Sequence, residues 1–266
     1  MSELEDQLEI AVRIIFDASY VIALVGAGMS KESGIPTFRG GDGLWDKLGE
    51  PPMDGYQRLL EDPAKFFAER EAQAKQADRS GFGHALEEAK PNPGHLALVE
   101  MERLGHLQHI ITQNIDNLHR EAGSTAVTEI HGNRTKQRCI GCSRRWERDE
   151  SLDKLGMDSD GVRRCPDCEG IVKNDTVMFG EPIPQDVLES CYEHSRQADA
   201  ILLLGTSATV TPAADFPVMV HRQGGRLIEV NPQETPLSDI CSAVLRAPTG
   251  EVLPKLVERI GELVAG

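Results

Sequence analysis

Short runs of consecutive apolar residues alternate along this chain with longer amphipathic stretches, the pattern of a parallel sheet covered by helices. The runs predict strands at Val21–Val25, His109–Thr112, Val127–Ile130, Ala200–Leu204 and Arg226–Val230. The amphipathic stretches predict helices over 3–18, 93–104, 184–197 and 250–263. The second has Pro93 near its start and Gly105 just past its end, where helix boundaries favour these residues. The stretch from Asp42 to Lys90 is rich in charge, Gly and Pro, and reads as a flexible or helical insertion over the sheet rather than another strand. No internal repeat or low-complexity segment is evident.

Length and composition narrow the class. At 266 residues and 39% hydrophobic content, the chain is long enough for one large domain with a real core and a smaller one. A formal net charge of −15 argues against direct nucleic-acid binding and against an anionic membrane surface, both of which need clustered Lys and Arg. A basic protein or peptide remains open as a substrate, although the plainer reading of an acidic surface is solubility. The N-terminus Met1-Ser-Glu-Leu-Glu-Asp-Gln is acidic where a secretory signal would be basic, and no run of about 18 apolar residues occurs. Both features predict a cytoplasmic protein.

Two cysteine couples, Cys139-x-x-Cys142 and Cys165-x-x-Cys168, are separated by 22 residues. Each couple brings two thiolates to about 2.3 Å from one ion, and the intervening stretch closes the site, so the spacing predicts one structural zinc. Cytosolic thiols stay reduced, which again favours metal over disulfides. Cys191 and Cys241 stand alone and read as small buried hydrophobes.

The remaining chemistry falls at the carboxyl ends of the predicted strands, where such sheets bind ligands. The first strand runs into Gly26-Ala-Gly-Met-Ser30, whose glycines would let backbone amides approach a phosphate without Cβ interference. The dehydrogenase fingerprint would place its next glycine at Lys31, but it comes only at Gly34, and no acidic strand end follows at the required distance of about 20 residues. A long loop bearing Phe38 and Arg39 interrupts the first crossover helix instead, which weakens hydride transfer and suggests a loop folded over the cofactor. In Thr112-Gln-Asn-Ile-Asp116, Gln113, Asn114 and Asp116 could bind ribose hydroxyls or a carboxamide, or could simply form a capping turn. His131, in Glu129-Ile-His-Gly132, is either a hydrogen-bonded structural residue or a general base titrating near neutrality. Gly205-Thr-Ser207 suits phosphate contacts, and Asn231 suits a ribose. Several polar strand ends on one edge are harder to explain as turns than any single one.

Together these residues resemble the sirtuin family of NAD-dependent protein deacylases. Gly26-Ala-Gly-Met-Ser30, Ser33-Gly-Ile-Pro-Thr-Phe-Arg-Gly40, Thr112-Gln-Asn-Ile-Asp-Asn-Leu-His119, His131-Gly132, the four cysteines, Phe179-Gly-Glu181, Gly205-Thr-Ser207 and Val230-Asn-Pro232 match its pattern in order, from about residue 18 to 258.

The resemblance implies an α/β fold with a Rossmann-like NAD-binding domain of residues 1–40, 91–134 and 174–266. A smaller domain would comprise a helical insertion, 41–90, and a zinc ribbon, 135–173. The acyl oxygen of a modified lysine would attack the ribose carbon bearing nicotinamide. His131, with Asn114 as second catalytic residue, would then drive formation of free lysine and O-acyl-ADP-ribose. The resemblance assigns Gly26, Ala27, Gly28, Ser30, Thr37, Phe38, Arg39, Gln113, Asn114, Ile115, Asp116, Gly205, Thr206, Ser207, Asn231 and Thr249 to the cofactor. It gives the four cysteines to structural zinc, and Val177, Phe179, Gly180 and Glu181 to an acyl-lysine peptide added as a strand.

Three departures from the family pattern bear on substrate and cofactor. Thr176 and Met178 stand where larger apolar residues are frequent. Tyr56-Gln-Arg58 has the wrong interval for the Tyr and Arg pair that reads acidic acyl groups. Ala247-Pro-Thr-Gly250 replaces a more usual glycine-containing turn on the adenine side. The competing readings are protein mono-ADP-ribosyl transfer or NAD hydrolysis at the same site, and a non-catalytic NAD-sensing module.

Overall fold

The computed structural model describes residues 3–38, 43–45, 49, 52–76, 81–148 and 157–265. Six parallel strands form the central sheet in the order β3-β2-β1-β7-β8-β9, with β1 Val21–Val25, β2 His109–Thr112, β3 Val127–Glu129, β7 Ala200–Leu204, β8 Arg226–Val230 and β9 Ala243–Leu245. β1 and β7 are apolar throughout and buried at every position, because both faces of the sheet are covered. Alternate residues of β1 point to opposite faces. Val21, Ala23 and Val25 pack with Leu8, Val12 and Ile15 of α1 (Glu3–Asp17), while Ile22 and Leu24 pack with Phe216 and Val220 on the other side. The chain winds outward from β1 through β2 to β3, then returns to place β7 on the other flank of β1. That reversal makes the carboxyl ends of β1, β2 and β7 a topological switch point.

A second, three-stranded antiparallel sheet of order β5-β4-β6 comprises β4 Lys136–Cys139, β5 Arg145–Glu147 and β6 Val172–Asn174. The stretch read as an insertion carries the helices α2 Gly55–Glu61, α3 Pro63–Gln76 and α4 Phe82–Glu88. Leu59 and Phe66 pack with Val162 and Ile171 of the ribbon, so helices and ribbon share one small core.

The predicted strands agree with the structure except that β3 stops at Glu129. Ile130 still donates its N–H to Thr112, but the chain then turns through Gly132. The predicted helices correspond to α1, α5 Pro93–Arg103, α7 Gln185–Gln197 and α9 Thr249–Ala265. Asn92 caps α5, its Oδ1 accepting the Gly94 N–H at 2.9 Å. Sequence reading missed β9, α6 Leu118–Ala122, α8 Asp215–Arg222 and the 3-10 helix Ala27–Ser33. No helix among the described residues is long and apolar enough to cross a membrane.

Candidate active site and metal centre

β4 ends on Cys139, the turn to β5 carries Cys142, and Cys165 and Cys168 lie on the approach to β6. All four Sγ atoms fall within 4.8 Å of one another, with Cys139 and Cys168 at 3.5 Å and Cys142 and Cys165 at 3.7 Å. A tetrahedral ion with about 2.3 Å bonds needs sulfurs about 3.8 Å apart, so the four thiols fit zinc and leave no open position for chemistry. Two glycines unnoticed in the sequence shape this site. A Cβ on Gly170 would lie 2.9 Å from Cys139 Sγ, and the Gly141 N–H donates to that same sulfur at 3.3 Å.

At the switch point, the loops after β1 and β7 are packed backbone to backbone. A Cβ on Gly26 would meet Thr206 Cα at 2.7 Å, and one on Gly28 would meet Gly205 Cα at 2.7 Å. The amides of both glycines are committed to protein carbonyls, Gly26 to Leu204 at 2.9 Å and Gly28 to Gly205 at 2.8 Å. The missing side chains of these two glycines allow the two loops to touch.

The polar strand ends converge on that contact. Gln113 Nε2 donates to Thr206 Oγ1 at 2.8 Å and Asn231 Nδ2 to the Thr206 carbonyl at 2.8 Å, so buried Thr206 ties the ends of β2, β7 and β8 together. Ser207 is exposed, its hydroxyl 2.9 Å from Thr209 Oγ1. Asn114 Nδ2 reaches the Gly26 carbonyl at 3.0 Å and Ser30 Oγ at 3.2 Å. Ser30, fully buried in the 3-10 helix, donates to Asp116 Oδ2 at 2.6 Å, and Asp116 Oδ1 accepts the Leu118 N–H that opens α6. Burial raises the Asp116 carboxyl above its ordinary range, opposed by the Ser30 and Leu118 hydrogen bonds. Asp116 therefore takes part in the turn that opens α6 while lying as a buried acid at a strand end.

Asn231 owes its position to a side chain that sequence reading passed over. The fully buried Glu229 of β8 accepts from Ser238 Oγ (2.7 Å), Thr235 Oγ1 (3.1 Å) and Arg246 Nη1 (2.6 Å), and Arg246 also holds the Asn231 carbonyl. Thr249 opens α9 with its hydroxyl buried and unpartnered among the described residues, beside Gly250, whose N–H donates to Glu32. The Ile115 carbonyl accepts the Arg134 N–H, and the Thr37 carbonyl accepts that of Leu44. Phe38 stacks at an angle on Trp45 (5.3 Å) and Phe82 (5.7 Å), and Trp45 meets Phe179 (5.8 Å), so the loop expected over the cofactor is joined by aromatic contacts to the expected substrate segment. Arg39 lies outside the described residues.

His131 follows β3. Its Nδ1 lies 3.1 Å from the Gln113 carbonyl, which can only accept, so the proton sits on Nδ1 and neutral Nε2 keeps its lone pair. Burial lowers its pKa below the ordinary imidazole value, partly opposed by the Gln113 contact. Gly132 has φ +77°, and a Cβ there would lie 2.0 Å from the Asp175 carbonyl oxygen, so only glycine allows the following segment so close. Val177 N–H donates to the His131 carbonyl at 2.8 Å, whereas Phe179 and Gly180 form a turn. Glu181 differs from its expected place at the substrate: it is buried, and both its oxygens are held by Arg138 and Lys173 of the ribbon. Tyr56 packs in the core shared by the insertion helices and the ribbon, and Arg58 pairs with Glu69 of α3.

A Rossmann-like sheet with hydroxyl, amide and acid groups gathered at its switch point, a half-buried imidazole beside them and a tetrathiolate ribbon alongside define a dinucleotide-site protein with a structural metal module. The Sir2 family model matches residues 26–212, and the chain belongs to that family. It is 41% identical over 249 residues to the NAD-dependent protein deacylase of Pyrococcus furiosus, covering 93% of this chain and 96% of that protein. A mutant Sir2 homologue in complex with ADP-ribose superposes with a TM-score of 0.77 at 36% identity, over 97% of this chain and 98% of the other. A complex of Sir2 with a p53 peptide and NAD+ superposes at 0.74 and 33% identity, over 96% and 99%.

Proposed function

We propose that this chain is an NAD-dependent protein lysine deacylase that transfers an acetyl or other neutral acyl group to ADP-ribose and releases nicotinamide. The observation that carries the reading is the His131 ring, fixed by Gln113 with Nε2 available as base, on the same strand edge as Asn114, Asp116 and Ser30. NAD, when bound, supplies a ribose carbon with a labile bond to nicotinamide and a ribose hydroxyl to receive the acyl group. Its holders would be Gly26 to Ser30, Thr37, Phe38 and Arg39, Gln113 to Asp116, Gly205 to Ser207, Asn231 and Thr249. The donor set suits such a ligand, since it offers amides, hydroxyls and one buried, unpartnered Thr249 hydroxyl.

Neutral His131 takes a proton at Nε2 from a hydroxyl within reach, and its depressed pKa keeps it unprotonated at neutral pH. Asn114, anchored to Gly26 and Ser30, orients the groups it contacts, and the aromatic contacts of Phe38 support exclusion of water. Arg58 is already paired with Glu69, which supports a neutral rather than an acidic acyl group. Val177, Phe179 and Gly180 would line the peptide, with Glu181 supporting them from below. Residues 1–40, 91–134 and 174–266 would form the NAD domain, and 41–90 and 135–173 the small domain. The thiolate metal site supports a reducing, cytoplasmic location.

The test is mass spectrometry of purified protein with NAD and a panel of acylated lysine peptides, beside His131→Ala and a peptide-free control. Nicotinamide and O-acyl-ADP-ribose should appear together, require peptide and vanish in the variant. NAD consumption without deacylated peptide would replace the reading with ADP-ribosyl transfer or hydrolysis.

A further inference from the structure

The pairing of β4 with β6 sets Arg138 directly opposite Lys173, and both side chains are 4% exposed. Like charges facing each other across strands are unfavourable, and buried cations require partners. The partners come from the segment that leaves the ribbon. Glu181 bridges the two cations, Oε1 to Arg138 Nη2 at 2.5 Å and Oε2 to Lys173 Nζ at 2.9 Å, and Oε2 also accepts the Met178 N–H at 2.9 Å. Arg138 Nε donates to Asp175 Oδ1 at 2.9 Å, and Lys173 Nζ donates to the carbonyls of Asn174 (3.0 Å) and Thr176 (2.8 Å). Asp175 in turn accepts the Asn133 N–H at 3.3 Å, and its backbone lies against Gly132 in the His131 turn.

We propose that Arg138 and Lys173 are positioning residues for the acyl-peptide, acting through Glu181 and Asp175 to fix the backbone of 176–180. This rests on the deacylase reading. A peptide added along 176–180 is recognised through backbone groups, whose directions must be set beforehand or ordered at the moment of binding. The segment joins neither sheet, and its two ends are pinned by the cluster and by the Val177 bond to His131. Loosening the cluster should therefore weaken peptide binding while leaving the cofactor cleft, built on other strands, unaffected.

The experiment compares wild type with Arg138→Lys, which keeps the charge but loses the fork spanning Asp175 and Glu181, and with Lys173→Met, which removes the charge at similar volume. For each, zinc content and thermal melting are recorded, together with KM for NAD, KM for an acetyl-lysine peptide and the anisotropy of a labelled form of that peptide. The expected result is retained zinc, an NAD KM within about twofold and a peptide KM and Kd raised about tenfold. Constants that do not move, or that move together for NAD and peptide, overturn the proposal. If Arg138→Lys loses zinc, Lys173→Met decides by the same criterion, and loss of zinc there too makes the cluster a folding element of the ribbon and overturns the positioning role. A wild-type chain that neither binds the peptide nor releases nicotinamide refutes the deacylase reading itself, whereas active wild type with equally good variants refutes only the role given to these cations.

Discussion

The His131 ring is held by Gln113, its Nδ1 lying 3.1 Å from that residue's carbonyl oxygen at the end of a neighbouring strand. That bond fixes the tautomer, and burial lowers the pKa. The acid limb of kcat/KM for deacylation should then fall below pH 6.5, the ordinary imidazole value. A pH–rate profile checks this, and an acid limb above 6.5 would refute the assignment of base and environment. His131→Ala should reduce kcat by about 10²–10⁴ with folding intact.

Gly28 is required by contact between loops, so Gly28→Ala should destabilise by about 1–3 kcal/mol through overpacking against Gly205 and weaken NAD binding. Gly261, inside α9 with nothing within 4 Å of an added Cβ, gives the opposite sign: Gly261→Ala should stabilise by about 0.5–1 kcal/mol. Urea unfolding of the two variants provides the contrast. A stable Gly28→Ala would mean that the two loops are not packed as described.

How much of this was legible in the sequence depended on whether the cause was local. β1 and β7 could be read because central parallel strands are apolar at every position, and the metal site because two knuckles impose a fixed spacing. β9 has three residues and the 3-10 helix Ala27–Ser33 seven, too few for a period to register. The polar strand ends were visible as residue types, but the role of Gly26 and Gly28 was not, since it depends on the Gly205 loop far along the chain. Glu181 could not be placed either: only the register that opposes Arg138 to Lys173 shows why an acid belongs beneath the segment.

The tetrathiolate site predicts that purified protein carries about one zinc per chain and that a strong chelator lowers its Tm. Gly170→Ala tests the geometry more finely, because its Cβ would sit 2.9 Å from Cys139 Sγ. Zinc affinity should fall about 10–100-fold, the range found when groups supporting metal ligands are altered. Competition with a colorimetric chelator measures it, and unchanged affinity would show that the ribbon relaxes around the added methyl.

Three buried histidines, His95, His109 and His119, and the half-buried His194 give the fold an acid-side weakness. His109 and His194 stack with ring centroids 3.5 Å apart and planes 9° from parallel, and His95 and His119 lie 4.9 Å apart. Burial lowers all four pKa values, to about 3 for His109, where the His194 and Arg120 charges add to burial, to about 3 for His119 and to about 4 for His95. Since each folded-state pKa lies below its unfolded value near 6.5, the unfolded chain takes up more protons between those values. Stability is therefore fully present above about pH 6.5 and falls as the pH drops towards 3–4, each of the three buried histidines adding a slope of up to about 1.4 kcal/mol per pH unit. His109→Gln removes one titrating group and the repulsion between two stacked imidazolium rings, while keeping a side chain able to reach Thr128. Urea unfolding at pH 7.5, 6.0 and 5.0 should show a shallower acid-side loss in His109→Gln than in wild type, and parallel curves would mean that the stacked pair does not set the acid sensitivity.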